Sequence, residues 1–241
     1  MDKEDIRRNI WRILEERGEA LPPKPIVGRI PNFKGADKAA YLVRSLREYA
    51  KAETIFTNPD SPQRPLRELI LRDGKTVVMA TPRLREGFLI LNPNSIPEKL
   101  YYEASTIRGA FKHGRKLKIR EIPTIDFKVV GSVAVSLRGE RIGKGSGYSE
   151  LEYGILRELN RIGEDTPIIT TVHELQIVEN IPQEEFDVPV DYIVTFKRII
   201  KTERSRARPN GIIWRLITDK MMMEIPILKE LKQITETHAN K

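Results

Sequence analysis

Apolar residues recur along this chain at two spacings, and the two spacings alternate. Residues 2–17 place Ile6, Ile10 and Leu14 on one face of a helix, with acidic residues at its start and Gly18 after its end. Short apolar runs bounded by Pro, Gly, Asp or Asn follow further along and are typical of buried strands. The chain is therefore predicted to alternate amphipathic helices with buried strands.

The same patterns locate the remaining elements. Helices are predicted at 36–50, 61–74, 105–113 and 148–162, and in a C-terminal stretch from Trp214 to Leu231 that Pro226 interrupts. Strands are predicted at 53–59, 75–82, 126–136, 166–172 and 191–196, and the apolar run 87–93 is of ambiguous type. Because strands alternate with helices, the pattern predicts an α/β fold whose sheet is largely parallel and covered by helices on both faces.

We expect residues 1–241 to form a single domain, because this length is near the upper size for one hydrophobic core. Residues 18–35 are rich in proline and are predicted to be an irregular arm, anchored on the domain by the apolar residues of "RIPNF". Residues 205–241 are predicted to form a C-terminal helical extension.

Composition narrows the class of protein. Hydrophobic residues make up 39% and charged residues 32% of the chain, which is typical of a globular protein. The chain has no cysteine, which excludes disulfides, thiolate nucleophiles and Cys-ligated metals. The N-terminus is charged and no apolar run reaches membrane-spanning length, so we expect a soluble, cytoplasmic protein without a membrane partner. Abundant Lys, Glu, Arg and Ile are typical of proteins from hot environments.

The net charge is +8, which favours an anionic partner. Two basic clusters, 108–120 and 197–209, carry six Lys or Arg residues each. Such clusters are usually solvated faces, and the functional alternative is a binding surface for RNA or DNA. Aromatic residues are sparse in both clusters, which weakens the case for stacking on single strands.

A glycine-spaced loop carries the clearest candidate chemistry. The stretch "RGERIGKGSGYSELEYG" (138–154) follows a predicted strand and opens a predicted helix. At that place unpaired backbone N–H groups attract an anion, and glycines let the backbone approach a phosphate. Arg141 and Lys144 would add positive charge. The spacing is G-x-G-x-G, which matches neither the P-loop nor the dinucleotide fingerprint. The alternative is a flexible turn without a ligand.

The loop sequence "GERIGKGSGY" resembles the G-x-R-L-G-x-G-x-G-Y-Y-D signature of 5-formyltetrahydrofolate cyclo-ligases, also called methenyltetrahydrofolate synthetases. "IDFKVVGSVAVS", "VHELQIVENIPQEEFDVPVDYIVT" and the N-terminal "KEDIR" resemble other family segments in the same order, so that the match covers most of residues 3–196. "GRIPNFKGA" and "NPDSPQRPLR" are more similar to the divergent branch of methenyltetrahydrofolate synthetase domain-containing proteins.

The resemblance implies a cyclo-ligase-like, Rossmann-like three-layer fold and a reaction that uses ATP and Mg²⁺ to close 5-formyltetrahydrofolate to 5,10-methenyltetrahydrofolate. In that reaction the formyl oxygen attacks the γ-phosphate, N10 attacks the activated carbon, and phosphate leaves. The chemistry requires positioning and positive charge rather than a protein nucleophile, which agrees with a chain without cysteine.

The resemblance also assigns roles by position. It places Arg141 and Lys144 as the catalytic cations and Glu150 where the family has a Mg²⁺-associated aspartate. The residues that it places at the nucleotide are Lys3, Arg7, Gly143, Gly145, Ser146, Gly147 and Tyr148. On the plainer interpretation, the two basic residues of the first helix face solvent and Glu150 only complements the dipole of its helix.

The chain departs from the family signature at three places. Ser149 stands where the signature has its second tyrosine, Glu150 replaces aspartate, and "DSPQRPLR" replaces an acidic E-[VI]-x-T stretch near the folate. These changes affect the pterin side more than the phosphate side. The leading hypothesis is an ATP-dependent ligase whose ligands are a nucleotide and a folate-like anionic small molecule, whose polyglutamate tail could meet a basic cluster. The alternative is a non-catalytic nucleotide- or RNA-binding module.

Overall fold

A computed structural model gives the structure of residues 1–204 and 206–239. The α-helices of this part of the chain are α1 (Lys3–Glu16), α2 (Ala36–Val43), α3 (Arg47–Lys51), α4 (Arg64–Arg72), α5 (Tyr101–Ala104), α6 (Ile107–His113), α7 (Tyr148–Glu158), α8 (Asp219–Glu224) and α9 (Pro226–Ala239). Its strands are β1 (Ala20–Leu21), β2 (Asn32–Phe33), β3 (Thr54–Thr57), β4 (Thr76–Ala80), β5 (Phe88–Leu91), β6 (Arg115–Leu117), β7 (Phe127–Val130), β8 (Ala134–Ser136), β9 (Arg141–Ile142), β10 (Ile168–Thr171), β11 (Ile177–Val178), β12 (Tyr192–Val194) and β13 (Ile199–Lys201).

The main sheet has eight strands in the order β13-β12-β10-β7-β3-β4-β5-β6. The five central strands, from β12 to β4, pair in parallel. The strands outside them, β13 on one side and β5 and β6 on the other, pair antiparallel. The prediction of a largely parallel sheet is therefore confirmed, and the carboxyl ends of the central strands meet at one edge.

The two faces of the main sheet carry separate apolar cores. Along β3 and β4, Phe56 and Val78 face the core that contains α7 and α9. Their neighbours Ile55 and Val77 face the core that contains α4 and the other helices between α2 and α6. This alternation follows from the two-residue period of a strand. The predicted three-layer arrangement, with helices on both faces, is confirmed.

Three predicted elements differ in the structure. The predicted helix 36–50 is divided into α2 and α3, because Leu46 is extended. The predicted helix 148–162 ends at Glu158, just before Asn160 in the left-handed region at φ +55°. The ambiguous run 87–93 contains strand β5.

The predicted strand 126–136 is two strands that belong to different sheets. Between β7 and β8 the backbone of Gly131 leaves the main sheet, because its N–H donates to the side chain of Asn58 and its carbonyl accepts from Arg141. The next strand, β8, lies in a small sheet of order β11-β8-β9. The glycine loop therefore follows β9 of the small sheet, not the main sheet as the pattern predicted.

Helix α1 and the proline-rich arm cover the small sheet. Ile6 and Trp11 of α1 belong to a third apolar core, together with Ile26 of the arm and Ile142 of β9. The indole Nε1 of Trp11 donates to the carbonyl of Arg29 at 3.0 Å. The arm, predicted to be irregular, includes a short antiparallel pair formed by β1 and β2. These contacts place the N-terminal helix beside the glycine loop.

The segment that follows β3 is held by a buried arginine. Arg67 of α4 donates to the carbonyls of Asn58 at 2.6 Å, Asp60 at 3.2 Å and Ser105 at 2.8 Å. Its guanidinium is fully buried, and this burial lowers the pKa of Arg67 to about 9. A single side chain therefore fixes the loop at the carboxyl end of β3.

Replacement of this arginine should be costly. We expect Arg67→Ala to lower the free energy of unfolding by about 3 kcal/mol or more, because several buried carbonyls lose their donor. The exposed Arg72 of the same helix, paired with Glu68 and Glu98, is the control, and Arg72→Ala should cost less than about 1 kcal/mol. Urea unfolding of both variants measures the difference, and equal small losses would contradict the role of Arg67.

Candidate functional site

A cavity of about 1000 Å³ opens at the carboxyl ends of the central strands. Asn58 follows β3 and Gly131 follows β7, and both line this cavity together with the glycine loop 143–147. Ligands of open α/β sheets usually bind at this edge. The fold therefore places the loop that the sequence singled out at the expected position of a binding site.

The glycine loop has the backbone of an anion cradle. Gly145 and Gly147 have φ values of +99° and +69°, a region that favours glycine. Gly147 precedes the first residue of α7, and no described side chain caps that helix. A Cβ added to Gly147 would meet no atom of the described chain within 4 Å. The loop thus presents the N-terminus of α7 to open space, where a phosphate can approach.

Helix α1 supplies two basic side chains to the same cavity. Arg7 Nε donates to the carbonyl of Gly143 at 2.8 Å. Lys3 Nζ lies 2.6 Å from Asp187 and 2.8 Å from Glu184, in the turn after β11. Neither residue faces bulk solvent as the plainer interpretation required, because their side chains are mostly buried. Arg7 contacts the loop directly, whereas Lys3 lies at the rim formed by residues 184–187.

Arg141 and Glu150 are brought together as an ion pair. The Arg141 side chain is only 1% exposed, and its Nη1 donates to the carbonyl of Gly131 at 2.9 Å. Its Nη2 contacts Glu150 Oε1, and its Nε has no hydrogen-bond partner among the described residues. The predicted catalytic cation therefore faces the predicted metal-associated carboxylate, while one donor of its guanidinium remains unsatisfied.

Lys144 has a carboxylate partner that the sequence analysis did not identify. Its Nζ lies 3.2 Å from Asp60 Oδ1, in the segment held by Arg67. Asp60 belongs to the "NPD" sequence directly after a buried strand, and that position at the carboxyl end of a parallel strand is the signal that could have found it. Both cations of the loop region thus have acidic partners.

A buried polar cluster underlies the loop and was also missed. Asn58 Nδ2 donates to Glu152 of α7. Lys128 of β7 is fully buried, lies 3.7 Å above the ring of Phe56, and has no hydrogen-bond acceptor among the described residues. Burial lowers the pKa of Lys128 and raises the pKa of Glu152. The signal in the sequence was a single lysine inside the apolar strand "FKVV".

The remaining wall of the cavity is apolar and comes from the C-terminal part of the chain. Its members, with Phe186, are Ile212, Ile213, Leu216, Ile217 and Met221, and the arm, residues 81–83 and Ile107 complete the lining. Two further residues of the predicted cradle, Ser146 and Tyr148, also line the cavity. The cavity is therefore charged at the glycine loop and apolar where the C-terminal part of the chain lines it.

In the second basic cluster, residues 197–209, three arginines do not form a solvated face. Arg204 contacts Glu164 at 2.6 Å, and Arg206 donates to the carbonyls of residues 184 and 187. Arg208 is fully buried, pairs with Asp191 and donates to three carbonyls. The solvated interpretation is wrong for these residues because their guanidinium groups are engaged within the chain.

The acidic side chains fit a magnesium ion that is held mainly by a ligand. Among residues 1–204 and 206–234, whose side chains the structure describes, no group of three or more metal-ligating side chains occurs. Mg²⁺ commonly binds through one or two carboxylates, waters and substrate phosphates. Glu150 and Asp60 are two carboxylates that line the cavity together with the glycine loop, so this arrangement is compatible with Mg²⁺ bound together with a nucleotide.

Comparisons with known proteins show the family of this chain. The sequence model of the 5-formyltetrahydrofolate cyclo-ligase family matches residues 1–196. A methenyltetrahydrofolate synthase domain-containing protein of Bos taurus is 39% identical over 98% of this chain and 63% of its own length, so the chain spans less than two thirds of that relative. The 5-formyltetrahydrofolate cyclo-ligase of Escherichia coli K12 is 27% identical over 56% of this chain and 71% of its own length.

The fold is also similar to a solved structure. The NMR structure of the 5,10-methenyltetrahydrofolate synthetase of Aquifex aeolicus superimposes with a TM-score of 0.54 and 20% identity, covering 87% of this chain and 97% of that one. At this identity the likeness concerns the fold alone. As for membranes, the described helices include none with the length and apolarity needed to cross one.

Lys128 and Glu152, the two buried ionisable side chains beneath the loop, should be energetically coupled through their opposite charges. We expect Lys128→Met and Glu152→Gln each to lower the free energy of unfolding by about 3 kcal/mol, because each leaves an uncompensated buried group. The double variant should recover part of that loss, with a coupling energy of about 1–3 kcal/mol. Urea unfolding at neutral pH measures the cycle.

The exposed pair Lys116 and Glu86 is the matched control, and the cycle Lys116→Met with Glu86→Gln should show a coupling below about 1 kcal/mol. Additive effects at the buried pair would contradict an interaction between Lys128 and Glu152.

Proposed function

Because the chain belongs to the 5-formyltetrahydrofolate cyclo-ligase family, we propose that it is a ligase that uses ATP and Mg²⁺ to close 5-formyltetrahydrofolate, or a related pterin, to the 5,10-methenyl form. The observation that carries the proposal is the glycine loop, which opens α7 with two left-handed glycines at the edge of a large cavity. This geometry suits the close approach of a phosphate chain to backbone N–H groups.

In the proposed complex the nucleotide phosphates bind at the loop. Gly143, Gly145 and Gly147 provide the close backbone approach, and the helix dipole of α7 favours the negative charge. Lys144 is the most accessible cation of the loop, with a side chain 40% exposed. It can turn from Asp60 to a phosphate, whereas Arg7 is held by the loop backbone.

Glu150 and Asp60 would hold the magnesium ion, and the metal-bound nucleotide supplies the phosphoryl group that activates the formyl oxygen. The chain's own residues have a positioning and electrostatic role. Arg141 is fixed by the carbonyl of Gly131, so that its charge stays beside the loop while Glu150 changes partner. Preorganised charge of this kind stabilises negative charge that develops during phosphoryl transfer.

The alternative hypothesis, a nucleotide- or RNA-binding module without folate chemistry, shares the same loop. Its electrostatic argument is weakened by the intramolecular contacts of Arg204, Arg206 and Arg208. Guanidinium groups that are engaged with carbonyls and carboxylates contribute little to counterion release from a nucleic acid. We therefore favour the ligase.

Nucleotide affinity tests the role of the loop lysine. We expect Lys144→Ala to weaken ATP binding by roughly 1.5–3 kcal/mol, because a charge-assisted phosphate contact is lost and Asp60 remains unpaired. Lys38→Ala, at an exposed position of α2 outside the cavity, should leave the affinity unchanged. Isothermal titration calorimetry with ATP and Mg²⁺ measures both, and equal affinity of the two variants would remove Lys144 from the site.

The reaction itself is tested by following the absorbance of the methenyl product. The protein is incubated with 5-formyltetrahydrofolate, ATP and Mg²⁺ at several temperatures, and phosphate release is measured in parallel. We expect product formation that requires the nucleotide and is lost in Lys144→Ala. ATP binding without any product, together with salt-dependent binding of single-stranded RNA, would instead support the binding module.

A further inference from the structure

The segment of residues 206–217, which we call the strap, runs along the cavity and is fastened at several points. Arg206 donates to the carbonyls of residues 184 and 187, and Arg215 forms an ion pair with Glu185. Arg208 is fully buried and binds Asp191 together with three carbonyls. The guanidinium of Arg208 is buried with its nitrogens hydrogen-bonded, and together with the contacts of Arg206 and Arg215 it gives the strap a fixed course over the domain.

The strap also packs closely on α7, the helix that the glycine loop opens. The N–H of Ile212 donates to Glu158 Oε2 at 3.1 Å. A Cβ added to Gly154 would lie 3.2 Å from Ile212 Cγ1 and 3.3 Å from the carbonyl of Gly211. A side chain at position 154 would therefore displace the strap by a few tenths of an ångström. The position of the strap is thereby tied to the helix whose N-terminus faces the ligand.

The apolar side chains of the strap line the cavity. They are Ile212, Ile213, Leu216 and Ile217. The sequence model of the family matches residues 1–196 and ends before the strap, whereas the similarity to the bovine relative covers 98% of the chain. Ligand contacts that are common to the whole family therefore do not need this segment. The contacts that this segment makes with a ligand would be particular to this branch.

We propose that the strap is a specificity-determining wall that binds the planar heterocycle of the second substrate, while the glycine loop binds the phosphates of the nucleotide. The inference rests on the proposed function, because it assumes that the anionic group of the ligand binds at the glycine loop. At the strap, the branched aliphatic side chains belong to a segment of fixed course, and such side chains suit the face of a flat ring.

Two residues allow the wall to be altered without damage to the core. Ile213 and Leu216 line the cavity but do not belong to the apolar core on the α7 face, whereas Ile212 and Ile217 pack against it. The double variant Ile213→Ala/Leu216→Ala should therefore retain the melting temperature of the wild type to within a few degrees. Met223→Ala is the control, because Met223 is 69% exposed and lies outside the cavity.

The experiment compares ligands with and without the heterocycle by calorimetry. The probes are 5-formyltetrahydrofolate against p-aminobenzoylglutamate, and ATP against tripolyphosphate. We expect the double variant to bind 5-formyltetrahydrofolate about tenfold more weakly, which corresponds to the lost burial of between one and two methylene groups at a factor of roughly four each, because Leu216 is itself 40% exposed. Its affinities for p-aminobenzoylglutamate, ATP and tripolyphosphate should equal those of the wild type and of Met223→Ala.

Three results would overturn the inference. Equal affinity of wild type and double variant for 5-formyltetrahydrofolate would show that the strap is not a ligand wall. A loss of affinity for ATP alone would assign the wall to the nucleobase. A wild type that binds ATP and tripolyphosphate but not 5-formyltetrahydrofolate would exclude both the wall and the folate part of the proposed function. A wild type that binds the folate but not tripolyphosphate would contradict only the loop assignment.

Discussion

Main-chain carbonyls at the carboxyl ends of the central strands lie beyond the pairing of the sheet, and buried arginines supply their hydrogen bonds. Arg67 holds the segment after β3 and Arg141 holds Gly131 after β7, whereas Arg208 holds the carbonyls of residues 164, 166 and 189 before β10 and β12. A buried carbonyl without a donor is costly, and a guanidinium offers five donors in a fixed plane. The irregular backbone at the carboxyl ends of β3 and β7, which lines the cavity, depends on Arg67 and Arg141.

The site is close to internal charge balance before any ligand binds. Arg141 faces Glu150 and Lys144 faces Asp60, while Lys3 lies between Glu184 and Asp187. In the proposed complex the phosphates take the cations and the metal takes the carboxylates, so that ligand binding exchanges partners rather than burying new charge. Such an exchange limits the desolvation that a polyanion would otherwise require.

The fold could be predicted from the sequence further than the site could. The α/β class, the parallel centre of the sheet and helix α1 follow from apolar periodicity, which is local. The division of the strand at Gly131 could not be predicted, because the apolar run continues across it while the cause lies in Asn58 and Arg141.

The placement of charges was even less predictable. The composition shows that basic residues are in excess, but only the tertiary structure shows which of them are paired. Glu152 meets Asn58 across 94 positions of the chain, and Lys144 meets Asp60 across 84. The assigned roles of the loop residues remain predictions that rest on the family and on the geometry of the cavity.

The glycine loop joins two parts of the fold that have separate apolar cores. Its first end continues from β9, in the small sheet that α1 and the arm cover, and its second end begins α7, which packs on the main sheet. The conformation of the loop therefore depends on how the small sheet packs against the main sheet and its helices, and not only on the local sequence "RGERIGKGSGYSELEYG". We therefore expect an excised peptide of this sequence not to adopt the conformation of the loop. Substitutions where Trp11 packs on the arm should alter anion affinity while every loop residue stays the same.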